Sequence, residues 1–319
     1  MKSTRASVTK RYRDVKEFQK GKMCMCELIR EKDCIIDGGV LIKYNGVGTK
    51  LLVPKNISEI GEGAFASSDI EEIVVLANVK VVGDRAFANC RNLTQALIEN
   101  GAEKIGREAF SGCTKLKAIL VPDSVTELGA CAFMDCTDLD GAVLSKNVTT
   151  INENTFKNCR SMMYVVMSEN VVRIGEDAFR GCANLDFQML PKSLTTLESG
   201  AFADCTNLRT VITYKELKNI SDKAFSGCSS LMYVFAAKGI APFSKSLFSE
   251  SATPIIILTP GTDISLWDKD MTYKFENWEK EFKKRMAGYF SFRRWLSGIF
   301  RARRQKKQRK TVKALTTNA

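Results

Sequence analysis

A phenylalanine recurs along the chain at an interval of 22 residues and then at seven intervals of 23, and this spacing constrains the fold more than any other feature. The nine positions are Phe65, Phe87, Phe110, Phe133, Phe156, Phe179, Phe202, Phe225 and Phe248. Seven of these rings are followed three residues later by a cysteine: Cys90, Cys113, Cys136, Cys159, Cys182, Cys205 and Cys228. Periods of 20–50 residues are typical of solenoids, in which each turn buries its apolar side chains against neighbouring turns. We therefore predict one continuous stacked core that contains a Phe column and a Cys column.

One complete unit runs from Leu116 to Cys136 and reads Leu-Lys-Ala-Ile-Leu-Val-Pro-Asp-Ser-Val-Thr-Glu-Leu-Gly-Ala-Cys-Ala-Phe-Met-Asp-Cys. This pattern resembles the BspA-type (treponemal-type) leucine-rich repeat, over roughly residues 57–251. The resemblance implies a mostly β repeat solenoid with short turns or helical segments and a parallel sheet on its concave face. It also implies protein–protein or adhesive interaction and no catalysis.

Composition divides the chain into five segments. They are a basic N-terminal segment at 1–22, an N-terminal cap with a β-hairpin at 23–56, about nine repeats at 57–251, a C-terminal cap at 252–287 and a basic amphipathic tail at 288–319. The dipeptide Asn45-Gly46 is a strong signal for a hairpin turn. Apolar residues at helical spacing between Thr272 and Met286 predict a helical C-terminal cap.

The chain contains no histidine. Its absence excludes a Ser-His-Asp triad, a Cys-His dyad and a His-ligated zinc site. No other group of residues supplies a nucleophile, a base or a metal site, so we expect a non-enzymatic protein without a cofactor. Cys24, Cys26 and Cys34 form the one cluster outside the repeat, with three ligands where structural zinc takes four.

The repeat cysteines are expected to be buried free thiols that pack as small hydrophobic side chains. Neighbouring turns bring them to about the spacing of adjacent strands, ~4.8 Å. Their side chains point in parallel, however, and we expect a reducing, cytoplasmic compartment because the N-terminus lacks the apolar core of a signal peptide and no apolar stretch reaches transmembrane length.

One strand position outside the predicted core is apolar in every repeat. It lies four residues after the leucine that begins each unit, and its neighbour at position two becomes aromatic in the later repeats. The candidate partner-binding residues from these two positions are Leu97, Leu120, Val143, Tyr164, Val166, Phe187, Met189, Ile212, Tyr233 and Phe235. Strand alternation would place them on the outer, concave face as a surface for a protein or peptide. Two alternatives remain: the chain covers this stripe itself, or the strand phase is shifted and the stripe faces the core, as Gln188 at an inward position suggests.

Charge is concentrated at the chain ends. The formal net charge is +12, but residues 282–319 carry 13 Lys/Arg and no acid, whereas residues 23–281 carry a net −7. Aromatic side chains such as Trp295 accompany the basic ones in the tail, which suits the surface of an anionic membrane. The candidate basic contacts are Arg293, Arg294, Arg301, Arg303, Arg304, Lys306, Lys307, Arg309 and Lys310. Nucleic-acid binding, or docking of the tail on the acidic body, are the alternatives.

The sequence therefore predicts a monomeric, cytoplasmic scaffold that binds a protein or peptide on its concave face. The alternatives are an adaptor held at an anionic membrane or at nucleic acid by its basic end, and a cell-surface adhesin, which the resemblance alone implies.

Overall fold

The computed structural model describes residues 26–237, 239–251, 253–258, 262–263, 265, 267, 269 and 271–275. Within them the chain forms short strands, stacked turns and two 3-10 helices, Glu31–Asp33 and Lys245–Phe248. In chain order the strands are β1 (Glu27–Leu28), β2 (Cys34–Asp37), β3 (Val40–Tyr44), β4 (Lys50–Leu52), β5 (Glu59–Ile60), β6 (Glu72–Val75), β7 (Val81–Val82), β8 (Gln95–Ile98), β9 (Lys104–Ile105), β10 (Ala118–Leu120), β11 (Glu127–Leu128), β12 (Gly141–Val143), β13 (Thr150–Ile151), β14 (Tyr164–Val166), β15 (Arg173–Ile174), β16 (Phe187–Met189), β17 (Thr196–Leu197), β18 (Thr210–Ile212), β19 (Asn219–Ile220), β20 (Tyr233–Ala236), β21 (Ile255–Leu258) and β22 (Thr272–Phe275).

These strands form two faces of a solenoid, which we call the first and second sheets. The first sheet consists of three runs, β1-β4-β6-β8, β10-β12-β14 and β16-β18-β20-β21-β22. The second sheet consists of two runs, β2-β3-β5-β7-β9-β11 and β13-β15-β17-β19. Among the pairs described, β2–β3 is antiparallel and the others are parallel, as expected when every turn winds in the same direction. The prediction of a repeat solenoid is confirmed.

The Phe column forms a continuous stack in the turns that lead from the second sheet to the first. These turns are the third side of the solenoid. Successive rings from Phe65 to Phe248 lie 4.9–5.9 Å apart between centroids, with interplanar angles of 7–15°. Tyr44 extends the stack at its N-terminal end, 5.2 Å from Phe65. The rings from Phe65 to Phe202 are almost completely removed from solvent, which makes this column the largest apolar contribution to the core.

The Cys column is buried beside the stack, and its thiols do more than fill space. Each thiol donates a hydrogen bond to the backbone carbonyl oxygen of the Phe one turn earlier, at 3.0–3.2 Å, from Cys90 to Phe65 through to Cys228 and Phe202. Serine occupies the same position at both ends of the column: Ser68 contacts Cys90 at 3.4 Å, and Ser251 donates to the carbonyl of Phe225 at 2.7 Å. The column is therefore a ladder of hydrogen-bond donors to the turns that carry the rings.

The N-terminal hairpin is present, but its turn lies elsewhere than predicted. β2 and β3 are joined by Gly38-Gly39, and Asp37 pairs with Val40 across that turn. Both glycines have positive φ, +53° and +82°, a combination that a two-residue hairpin turn requires and that glycine adopts without strain. The predicted turn at Asn45-Gly46 was wrong; these residues follow β3 in a loop where the amide of Gly48 donates to the hydroxyl of Tyr44 at 2.9 Å.

The C-terminal end also differs from the prediction of a helix beginning at Thr272. Residues 272–275 form β22, a parallel strand beside β21, because the first sheet continues past the last repeat. The end of the Phe stack is closed by Phe243 against Phe248 and by Trp267 against Phe243, both in edge-to-face contacts. Residues 276–287 lie outside the described part of the chain, as do residues 1–25 and the tail at 288–319.

Two of the interruptions in the sheets coincide with side-chain amides that bind backbone carbonyls. In the second sheet the amides of Gly129 and Gly175 donate to the carbonyls of the preceding turn at 2.8 Å, whereas between them the side chain of Asn152 donates to Leu128 at 2.7 Å. In the first sheet the buried side chain of Gln188 donates to Met189 at 2.8 Å. The described runs end at these places, between β11 and β13 and between β14 and β16.

Candidate binding surface on the outer face of the first sheet

The outer face of the first sheet carries an apolar column. In β10 the side chain of Ile119 and that of Val121 just after the strand point into the core and are each 2% exposed, while Leu120 between them is half-buried and points away from it. In the other turns most inward positions also belong to the solenoid core, whereas the outward Met189, Ile212 and Phe235, although buried, form a separate cluster; the inward Gln188 is buried in the same way as its apolar counterparts. The strand phase predicted from the sequence is therefore correct, and the alternative of a shifted phase is excluded.

The column is longer than the eight positions, from Val74 to Phe235, that the repeat spacing supplies. Strand register within the three runs, and the 23-residue spacing across the two breaks between them, align its members from the N-terminal to the C-terminal end as Leu28, Leu52, Val74, Leu97, Leu120, Val143, Val166, Met189, Ile212, Phe235 and Ile257. Sequence reasoning missed Leu28, Leu52 and Ile257. Leu52 precedes Val74 by 22 residues, the same interval as between the first two Phe rings, and that interval was the available signal.

Solvent exposure divides the column into two halves. The open half comprises Leu28, Leu52, Val74, Leu97 and Leu120, of which Leu28 is 58% exposed and the other four are half-buried. The closed half comprises Met189, Ile212, Phe235 and Ile257, which are 6%, 0%, 2% and 1% exposed and form an apolar cluster separate from the solenoid core. The same position of the repeat therefore offers accessible surface at one end of the molecule and little at the other.

A second outward column runs beside the first and changes in character along the sheet. In the open half it includes Lys50, Glu72, Gln95 and Ala118, with an ion pair of 2.8 Å between the Lys50 Nζ and Glu72 Oε1 atoms. Towards the closed half it becomes aromatic. The ring of Tyr164 lies over Gly141 on the adjacent strand, where a Cβ atom would overlap the ring.

The predicted partner-binding residues differ in accessibility. Six are half-buried on the outer face: Leu97, Leu120, Tyr164, Val166, Phe187 and Tyr233. Four are buried and present little surface to a partner: Val143, Met189, Ile212 and Phe235. The predicted basic contacts, from Arg293 to Lys310 and including Trp295, lie outside the described residues.

Most titratable groups of the core are thiols, and in the middle of the Cys column burial dominates their titration. Loss of hydration raises the pKa of Cys136, Cys159, Cys182 and Cys205 well above the ordinary value, because the thiolate is the form that burial disfavours. Cys34, which is partly buried at the N-terminal end, has its pKa raised to about 11 by the same cause. All the described cysteines are free thiols, and within the described residues no cluster of three or more carboxylates or thiols could hold a metal ion.

Comparison with protein families identifies the repeat. The family model of the BspA type leucine rich repeat region matches residues 48–140 and 132–255, with six copies. The chain belongs to this family. BspA-type repeat solenoids are typically non-enzymatic, and membership indicates a protein-interaction or surface repeat protein.

Several solved structures of bacterial leucine-rich repeat proteins are similar to this chain. The Treponema pallidum leucine rich repeat protein is 26% identical, with a TM-score of 0.49, over 64% of this chain and 91% of that one. A leucine rich cell surface protein from Faecalibacterium prausnitzii is 20% identical, with a TM-score of 0.44, over 78% and 96% of the two chains. A leucine-rich repeat protein from Bacteroides ovatus is 23% identical, with a TM-score of 0.37, over 71% of each chain.

No curated protein matches the chain. Across the described residues, no helix has the length and apolar character needed to span a bilayer.

Proposed function

We propose that this protein is a non-enzymatic scaffold that binds a protein or peptide through the open half of the outer column. The observation that carries the proposal is an accessible row of aliphatic side chains, from Leu28 to Leu120, on successive strands of one sheet. Five strands at ~4.8 Å give a row about 19 Å long. Exposed apolar surface of this continuity on a folded protein typically marks an interaction site.

The surroundings of the row support a protein partner over a lipid or a small molecule. Lys50, Glu72 and Gln95 border the apolar centre with one basic, one acidic and one neutral group. An apolar centre with a mixed polar rim is the usual composition of a protein–protein interface. Small-molecule sites are instead concave and enclose most of the ligand.

The proposal is tested by placing a charge on the row. In the full-length protein, Leu97→Asp and Leu120→Asp should abolish capture of a partner from the cells that produce the protein, because an unpaired carboxylate would be desolvated in the interface. The matched control is Val172→Asp, which alters a 39% exposed apolar side chain next to the second sheet. Circular dichroism should show that all three variants keep the solenoid.

The deciding measurement is whether one particular captured protein binds the wild type and each of the three variants. A protein that co-purifies with the wild type and with Val172→Asp, that is lost with both variants of the row, and that binds the purified wild type in calorimetry supports the proposal. Equal capture by all variants would contradict it and would direct attention to another face.

A further inference from the structure

The closed half of the outer column is buried although it lies on the outward face of the first sheet. Ile212 has no solvent exposure although it points outward from a central strand, whereas Val74, Leu97 and Leu120 on the same column remain half-exposed. The partly buried apolar side chains that pack against the closed half are Phe187, Tyr214, Tyr233 and Ile255. All four come from the first sheet or from the turn that follows β18, so they flank the column.

The rings around the closed half are also engaged. Tyr164, Phe187, Tyr233 and Phe235 all have interaction partners, and so does Asp140 at the margin of the sheet. In the open half the outward apolar positions have neither this aromatic surround nor this degree of burial. The two halves are separated by Val143, which is 4% exposed, and Val166, which is half-buried, and the first aromatic side chain of the flanking column, Tyr164, lies in this stretch.

The chain leaves the described residues at the place where a cover would have to begin. Ile257 on β21 is the last member of the closed half, β22 lies directly beside β21, and β22 ends at Phe275. Forty-four residues follow Phe275 in the sequence. One strand separation of ~4.8 Å lies between this exit and the closed half, so no long linker is required.

The sequence after Phe275 combines apolar side chains with a positive net charge, and both properties suit binding to an apolar surface on an acidic protein. Trp278, Phe282 and Met286 recur at helical spacing, and further aromatic side chains follow at Tyr289, Phe292 and Trp295. A helix of about 25 residues would span about 37 Å, more than the ~14 Å from Met189 to Ile257. Residues 276–319 carry a net +11 and residues 26–275 a net −5, so the two parts attract each other.

We propose that residues 276–300 bind the closed half of the outer column in the same molecule, with their aromatic and aliphatic side chains on Met189, Ile212, Phe235 and Ile257. The segment is then an internal ligand that occupies one end of the sheet and leaves the basic residues 301–310 at its margin. This proposal concerns the half of the column that the proposed function does not use, so either can fail without the other.

Tryptophan fluorescence of the full chain tests the proposal directly. The protein has three tryptophans, and Trp267→Phe leaves Trp278 and Trp295, both in the segment, as the reporters. Docking predicts blue-shifted emission and weak quenching by acrylamide. Adding Ile212→Lys should shift the emission to the red and raise the quenching constant several-fold, whereas Leu97→Lys, on the same column in the open half, should change neither.

A second variant, with the change in the segment and not in the column, keeps the test valid if Ile212→Lys fails to fold. Phe282→Lys leaves every described residue unchanged and should expose the closed half, which is measured as increased binding of an apolar dye with unchanged circular dichroism. The proposal would be overturned if acrylamide quenched Trp278 and Trp295 of the Trp267→Phe protein as strongly as it quenches a free tryptophan amide. It would also be overturned if dilution removed both the protection of these tryptophans and a dimer seen in light scattering, because a second copy would then be the cover. Protection that appeared only in the presence of anionic vesicles would overturn it as well.

Discussion

The thiol of Cys113 donates a hydrogen bond to the carbonyl oxygen of Phe87, 3.1 Å away on the preceding turn. The same hydrogen bond joins every Cys of the column to a Phe of the preceding turn. The Phe column and the Cys column therefore connect successive turns together. Stacked rings hold one side of the solenoid together, and the thiols supply a second donor to carbonyls such as that of Phe87, which also accepts from the backbone amide of Cys90 at 3.2 Å.

Removing one of these donors should destabilise the solenoid. Cys136→Ala removes the thiol that donates to the carbonyl of Phe110, which still accepts from the backbone amide of Cys113 at 3.2 Å, and we expect the free energy of unfolding to fall by about 0.5–1.5 kcal/mol for the lost hydrogen bond. Denaturant unfolding under reducing conditions measures the change. Cys34→Ala, at a half-buried site outside the column, is the control and should cost less; equal losses would show that the hydrogen bond contributes nothing beyond packing.

The buried thiols also predict how stability depends on pH. Burial raises the pKa of Cys136, Cys159, Cys182 and Cys205 in the folded state, whereas in the unfolded chain the value is about 8.5. The unfolded chain therefore releases protons first, so the stabilisation is complete below about pH 8.5 and is lost as pH rises towards the folded values. We expect the free energy of unfolding to fall above this pH by up to about 1.4 kcal/mol per pH unit for each thiol.

The measurement is denaturant unfolding between pH 7 and pH 10 with a reductant present. Cys136→Ala should give a shallower decline than the wild type, since one titrating group is absent. Parallel declines in the two proteins would assign the alkaline effect to other groups.

Close approach of successive turns predicts a steric limit at Gly129. A Cβ atom there would overlap the backbone of Arg107 and Gly106 on the turn below. Gly129→Ala must therefore push two turns apart, and we expect a loss of about 1–3 kcal/mol and a lower melting temperature in calorimetry. Ser221 occupies the equivalent position four turns later, so Ser221→Ala is the control in which a Cβ is already accommodated. Loss of similar size in both would contradict the steric explanation.

The sequence made the repeating part of this structure predictable because each turn uses the same residue types at the same spacing. The ladder of rings, the buried thiols and the outward phase of Leu120 all follow from that repetition. Ser68 and Ser251 escaped the prediction because they complete the Cys column with a different residue type. The hairpin turn was misplaced because Gly38-Gly39 and Asn45-Gly46 both suit a two-residue turn, and pairing between Asp37 and Val40 decides between them.

Accessibility of the outer column could not be predicted in the same way. Leu97 and Ile212 occupy the same repeat position, yet one is half-exposed and the other has no exposure, because exposure depends on what packs above the sheet and not on the unit itself. The strand at Thr272–Phe275 shows the same limit, since its spacing suits a helix and its pairing with β21 makes it a strand.

Replacing the buried amide at Gln188 should strengthen the first sheet. Gln188 lies between inward Val165 and Val211 in the two neighbouring turns, and its side chain holds the carbonyl of Met189. Gln188→Val removes a buried polar group and frees that carbonyl for the adjacent strand, so we expect a gain of about 1 kcal/mol in the free energy of unfolding. Hydrogen exchange of the amides in β14 and β16 should slow at the same time. Unchanged exchange would show that the interruption between these strands has another cause.

The two sheet interruptions that coincide with the side-chain amides of Asn152 and Gln188 have a mechanical consequence. They fall between β11 and β13 on one side of the solenoid and between β14 and β16 on the other, within little more than one repeat of each other. A molecule built from nearest-neighbour contacts yields where those contacts are fewest. When force is applied to its two ends, this protein should therefore part first near residues 128–190, and its extension should rise in two steps, one for each block of turns.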